Sequence, residues 1–172
     1  MLIERETAAY EDAIRTVTAA AFADPRTPTE TPAEATLVDE LRGSDAWLER
    51  LSLVALDDRT VVGHVLCTRA WLDEAPVLGL GPLSVRPDRQ RRGVGHALMH
   101  AVLGAADALD EPLAVLLGDL GYYRRFGFRP AEQLGITPPV PEWRPHFGVR
   151  PLSAYTESLR GTFAYAEPFM RV

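Results

Sequence analysis

The chain has 172 residues, 47% of them hydrophobic and 24% charged, with a formal net charge of -6. That length fits a single domain, residues 1–172, able to bury a core without disulfide or metal staples. The acidic balance excludes a general nucleic-acid binder, which needs a basic face to release counterions.

No apolar run is long enough to cross a bilayer. Met1 to Thr7 carries charges and lacks the apolar block of a signal peptide. The single cysteine, Cys67, has no internal partner, in keeping with a reducing compartment. The expectation is a cytoplasmic protein without a membrane partner.

Met1 to Glu6 is partly alternating and predicts a first strand. Tyr10, Ile14, Val17 and Ala21 recur at helical spacing, which predicts an amphipathic helix from Thr7 to Phe22. Asp24 to Thr31, with Pro25 and Pro28, reads as a loop. Thr31, Pro32, Ala33 and Glu34 form a capping-box pattern with proline at the first helical position. The helix it opens turns Leu37, Val38 and Leu41 inward and stops near Gly43. Leu51 to Leu56 and Val61 to Ala70 read as strands of a hairpin joined through Asp57, Asp58 and Arg59. Val77 to Val85 is a further strand. Gly79, Gly81 and Pro82 interrupt it, so it is expected to bulge or to leave a neighbour there.

A third helix is expected to bury Val94, Leu98, Ala101, Val102, Ala105 and Leu109. Leu113 to Leu117 is almost wholly apolar, as a strand covered on both faces would be. A short helix with Tyr122, Tyr123 and Phe126 ends near Gly127. Pro130 to Pro151 reads as a long irregular segment, either a packed surface loop or a lid whose Trp143, His146 and Phe147 shape a pocket. Thr162 to Tyr165 predicts a last strand.

All 18 Lys and Arg positions are arginine, and Arg86, Arg89, Arg91 and Arg92 crowd one turn. Such a patch on an acidic protein is either solvated surface charge or a site for a small anion. The order of elements favours the anion. A strand ending at Val85 leads through this turn into Gln90, Arg91, Arg92, Gly93, Val94, Gly95 and a helix. Amides at a helix N-terminus point outward, and the helix dipole favours negative charge there. Glycines allow close backbone approach to a phosphate, and guanidinium groups add charge-assisted bonds. The turn is neither a Walker loop nor a dinucleotide fingerprint, lacking the Gly-Lys-Ser/Thr of one and the third glycine of the other. An anion site of unspecified ligand is what the residues themselves establish.

Gln90 to Gly95 resembles the Q/R-x-x-G-x-G/A motif of the GCN5-related N-acetyltransferase (GNAT) superfamily. Leu80 to Pro87 resembles the strand that precedes that motif. About thirty residues later, Tyr122, Tyr123, Arg124, Arg125, Phe126, Gly127, Phe128 is similar to the family's aromatic, charged and Gly-Phe element. Leu117, Gly118, Asp119 and the tail from Gly161 to Phe169 look closest to the YhbS-like subgroup of predicted N-acetyltransferases.

The resemblance implies an α/β fold: a central mixed, mostly antiparallel sheet, splayed between its fourth and fifth strands, with helices on both faces. It implies a bacterial acyl-CoA-dependent N-acetyltransferase with acetyl-CoA as co-substrate and no metal. Pantetheine would lie along Leu83, Ser84 and Val85. The pyrophosphate would lie on the amides of Arg91, Arg92, Gly93, Val94, Gly95, His96 and Ala97. The acceptor would be a small-molecule or peptide amine. Net negative charge leans toward a cationic one such as a polyamine, an aminoglycoside or a lysine-bearing peptide. Dimers are common in the family, so the resemblance allows a homodimer, and the oligomeric state stays open. Whether the donor is acetyl or a longer acyl-CoA stays open.

Tyr123 stands where the family places the tyrosine that protonates the leaving thiolate. Tyr122 and Phe126 are the expected core aromatics. The attacking amine must be neutral, which calls for a base, and Glu40, His64, Glu74 and Asp119 are the candidates. Asp119 could equally cap a helix, and His64 could be a satisfied core histidine. His96 and His100, four apart, lack a third ligand for a metal. Cys67 reads as inert packing. Two other classes stay open: a module that binds acyl-CoA without turnover, and a nucleotide-binding domain using the same turn.

Overall fold

The computed structural model describes residues 1–27 and 29–172; Pro28, in the loop expected from Asp24 to Thr31, lies outside them. Nine strands share one sheet system. They are β1 (Leu2–Arg5), β2 (Ser52–Asp57), β3 (Thr60–Leu72), β4 (Ala75–Val85), β5 (Leu113–Leu117), β6 (Arg129–Pro130), β7 (Ile136–Thr137), β8 (Phe147–Pro151) and β9 (Gly161–Ala164). The main path runs β1-β2-β3-β4-β5-β8-β6, with β9 joining β3 and β7 joining β9. The four helices are α1 (Glu11–Phe22), α2 (Ala33–Arg42), α3 (Val94–Ala108) and α4 (Leu120–Tyr123).

β1 to β4 are consecutive antiparallel neighbours. The β2–β3 hairpin closes through Asp58 and Arg59, both at positive φ, as a tight two-residue turn requires. β4 is one continuous strand, yet its register against β3 shifts: Val65 faces Leu83 while Cys67 faces Leu80. The extra residue on β4 falls at Gly81 and Pro82, where a bulge was expected. β4 then meets β5 in a parallel pair of only two rungs, Leu78 with Ala114 and Gly79 with Val115. Beyond Gly79 the strands separate, so the sheet is mixed, mostly antiparallel and splayed between its fourth and fifth strands.

α1 and α2 cover one face through Ile14, Val17, Leu37, Val38 and Leu41. α3 covers the other through Val94, Leu98, Met99, Val102, Leu103 and Ala106. Fully burying each such aliphatic chain contributes about 1.5–3 kcal/mol. The face of α3 is rotated from the one the spacing predicts: Leu109 is 38% exposed at the helix's C-cap, while Met99, Leu103 and Ala106 fill the core. Cys67 is fully buried, and burial pushes its thiol well up, so it is inert packing.

The segment from Pro130 to Pro151 is not irregular throughout. Phe147–Pro151 is β8, paired antiparallel with β5 from Leu113–Pro151 to Leu117–Phe147. Phe147 is core, packed edge-on against Phe163, and borders only a small cavity of about 120 Å³ beside Ile136 and Arg144.

A buried polar cluster ties β1, β2, β3 and α2 together. The Glu6 carboxylate accepts hydrogen bonds from Arg42 Nε at 2.6 Å and from the Ser52 hydroxyl. His64 Nε2 lies 2.8 Å from Ser52 Oγ and 3.3 Å from Glu6 Oε2. Burial alone would raise the Glu6 pKa, but hydrogen bonds from His64, Ser52 and Arg42 outweigh it and hold the group at about 2. Burial lowers the His64 pKa, so the ring is neutral at pH 7 beside an ionised Glu6. His64 is thus a core histidine held in this network through Nε2, while its buried Nδ1 has no hydrogen-bond partner among the described residues.

Candidate active site

Where β4 and β5 part, a cavity of about 600 Å³ opens. Leu80 to Leu83 form one wall, Leu116 to Asp119 the other, and Tyr122 and Tyr123 stand at its edge. A second cavity of about 310 Å³ continues toward the glycine turn, lined by Leu83, Val85, Gln90, Arg91 and Gly95. Phe22, Leu83 and Tyr122 line both, which makes them one groove.

The turn at its far end has the chemistry of an anion cradle. Gly93 caps α3 at φ +86, and a Cβ there would meet nothing within 4 Å. Among the described residues, the backbone N–H groups of Arg91 through His96 make no backbone hydrogen bond, whereas the Ala97 N–H already donates to the Gly93 carbonyl at 2.9 Å. The unpaired amides therefore run from Arg91 to His96, and Ala97 falls outside the set. Val94 turns its side chain into the core, 6% exposed, so only its amide faces outward. The His96 ring lies outside the groove, against His100 at 4.5 Å and Phe126 at 5.3 Å. Among the described residues no group of three metal-ligating side chains occurs.

The arginine cluster divides. Arg86 is paired with Asp88 at 2.6 Å, and Arg89 with Asp57. Arg91 and Arg92 are exposed and make no ion pair among the described residues, and Arg91 lines the groove. On β4, Leu83 faces both cavities and Val85 faces the second. The Ser84 side chain points the other way, buried, with its hydroxyl 3.2 Å from Thr18 Oγ1, so Ser84 offers only its backbone.

Tyr123 is half-buried at the edge of the larger cavity. Its ring lies against Gly118, where a Cβ would come within 2.8 Å of Tyr123 Cε2; glycine there is what lets the ring sit over the end of β5. Burial, with smaller contributions from Tyr122 and the Asp119 carboxylate, pushes the Tyr123 phenol up to about 12. It holds its proton at neutral pH. Tyr122 is not the core aromatic expected. It lines the groove, and its hydroxyl lies 3.4 Å from where a Gly95 Cβ would stand. Phe126 is core, 4% exposed.

Of the four candidate bases only Asp119 reaches the cavity, and its carboxylate accepts the Gly121 N–H at 2.8 Å as the cap of α4. Glu40 pairs with Arg171 at 2.9 Å beside a different surface groove. Glu74 is exposed on the β3–β4 turn, and His64 is sealed in its own network. Sequence reasoning missed Glu34. Its capping box does not form: Pro32, not Thr31, occupies the cap of α2, and no side chain caps the helix. Glu34 instead lines the cavity, with no hydrogen bond or ion pair among the described residues. Trp143 lines it too, while His146 is exposed outside it.

Residues 49–130 match the acetyltransferase (GNAT) domain. The chain is 32% identical over 143 residues to the uncharacterized N-acetyltransferase YjhQ of Escherichia coli K12, covering 78% of this chain and 79% of that one. A GNAT family acetyltransferase from Brucella melitensis, solved in complex with acetyl-CoA, is 34% identical with a TM-score of 0.79 over 98% of this chain and 97% of the other. The GNAT family N-acetyltransferase YhbS from Escherichia coli, solved with CoA, is 27% identical with a TM-score of 0.89 over 99% and 92%. The chain belongs to the GNAT family and is an N-acetyltransferase. Among the described residues no helix is long and apolar enough to cross a membrane.

Proposed function

We propose that residues 1–172 act as one unit that transfers the acetyl group of acetyl-CoA to a primary amine, with Tyr123 as the acid. The observation that carries this is the continuous groove from the unpaired amides of Arg91–His96, along Leu83 and Val85, to Tyr123.

The residues fit acetyl-CoA. The amide cradle, joined by Arg91 and Arg92, suits a pyrophosphate. The backbone of Leu83 to Val85, free of β5, suits the amides of pantetheine. The bound donor supplies an acetyl group activated as a thioester, which a neutral amine attacks as the C–S bond breaks. Tyr123 keeps its proton at neutral pH and is positioned to give it to the departing sulfur. Glu34, without a partner of its own, takes the proton of the amine, directly or through water. Asp119 is the weaker choice, since capping α4 occupies its carboxylate.

Arg91→Ala is expected to raise KM for acetyl-CoA about ten-fold, the scale of one lost charge-assisted bond. Arg86→Ala, which breaks only the pair with Asp88, should leave KM near the parent value. Initial rates at varied acetyl-CoA check both. The function itself is tested by thermal shift with acetyl-CoA, NAD and ATP side by side, followed by free-thiol release over an amine panel. Acetyl-CoA alone should stabilise the protein, by about 2.7 kcal/mol at a hundred times its Kd. Tight CoA binding without thiol release for any amine would leave a non-catalytic acyl-CoA-binding module instead.

A further inference from the structure

Away from β4, β5 and α4, the larger cavity is closed by Phe22, Glu34, Leu37, Trp143, Tyr165, Phe169 and Val172. Four of these seven are aromatic, and Glu34 carries the one charged side chain. The rings form a connected wall. Tyr165 stacks on Phe169 with centroids 4.5 Å apart, and Trp143 meets Tyr165 edge-on at 6.2 Å. Trp143 comes from the proline-rich segment, and Tyr165 and Phe169 from the end of the chain, so two distant stretches converge on this wall. Phe22, the last residue of α1, is 37% exposed and borders both cavities. Glu34 is the single acidic side chain of this part, and it is unpaired among the described residues.

We infer that this half of the cavity binds the acceptor, and that the acceptor is a primary amine carried on an apolar, ring-bearing body with no second charge. The inference rests on the amine-acetylating reading above and names its substrate class. One unpaired carboxylate can hold one ammonium or take its proton. The surrounding rings offer their faces to that cation and their area to an apolar body. A polyamine would bring further ammonium groups, and an aminoglycoside a set of hydroxyls and ammonium groups, into a wall with no partners for them. Burying such groups unpaired is strongly unfavourable. The protein's net charge, which leans toward a polycation, is a property of the whole surface; the cavity wall is local and decides.

The test pairs binding with turnover. 2-Phenylethylamine is titrated calorimetrically into CoA-saturated protein. Thiol release from acetyl-CoA is measured with 2-phenylethylamine, tryptamine, spermidine and kanamycin. The aromatic monoamines should exceed the other two in kcat/KM by at least about ten-fold. Trp143→Ala should raise KM for 2-phenylethylamine by about ten-fold with kcat little changed, and Trp143→Phe, which keeps a ring, should recover most of it. Faster turnover of spermidine or kanamycin overturns this inference and leaves the transfer reading standing. Binding of 2-phenylethylamine that Trp143→Ala weakens, without turnover of any amine, upholds the site and sinks the transfer reading. No binding and no turnover of the aromatic monoamines overturns the inference.

Discussion

Tyr123→Phe is expected to lower kcat by about 10²- to 10⁴-fold, the range of a positioned proton donor, while KM for acetyl-CoA stays close to the parent value. The ring is kept and only the hydroxyl is lost, so packing against Gly118 and Phe128 survives. The split between kcat and KM is therefore the informative reading. Full activity in the variant would remove Tyr123 from the chemistry. The pH profile follows from the same group. An ordinary tyrosine begins to lose its proton near pH 10, but burial holds Tyr123 to about 12. kcat/KM should rise with pH as the acceptor amine becomes neutral and show no tyrosine-dependent fall up to about pH 10. Tyr122→Phe, at the neighbouring hydroxyl, should cost far less, and comparing the two variants assigns the proton to one ring.

The second large effect is on stability. Glu6→Ala is expected to destabilise the fold by about 3–5 kcal/mol at pH 7, because Arg42 and His64 lose the carboxylate that pairs with them in a buried site. Its pH dependence has a defined sign. Glu6 titrates at about 2 in the folded chain against a reference of 4.5. Its contribution, on the order of 3 kcal/mol, is complete above pH 4.5 and is lost as pH falls toward 2. His64, whose folded pKa lies below 6.5, acts in the same direction from a higher pH: the unfolded chain takes up the proton first, so stability declines as pH falls below 6.5. Urea denaturation at pH 7 and at pH 3 checks both. The parent should lose stability between them, and Glu6→Ala should lose markedly less. The variant's kcat should match the parent wherever it is folded, since no member of the network lines the groove.

The sequence was most legible where local pattern and tertiary demand agree. Leu113 to Leu116 are apolar because both faces of β5 are covered there, while Leu117, 42% exposed, opens onto the cavity. The glycine turn was readable because a left-handed cap at Gly93 leaves a mark no other residue makes easily. β8 was hidden because Gly148 and Pro151 look like loop residues, although pairing with β5 overrides that composition. Arg86 and Arg89 looked like ligands, but Asp88 and Asp57 neutralise them, the latter from the distant β2. Glu34 was absorbed into a capping pattern that Pro32 displaces by one residue, so the carboxylate was assigned to the helix end and not to the cavity. Of the aromatic wall only Trp143 was legible, since Tyr165 and Phe169 join it from the far end of the chain only through the fold.

The two-rung seam between β4 and β5 has a mechanical consequence. At the same end of the gap, β9 straps back onto β3 through Trp71–Ala164 and Leu72–Phe163, and Asp73 and Thr162 exchange two further hydrogen bonds. The joined end of the wedge is thus braced from β3, the strand that also pairs with β4 there. Its jaws stand apart beyond Gly79, which gives a guest of strand-like shape a slot of defined length.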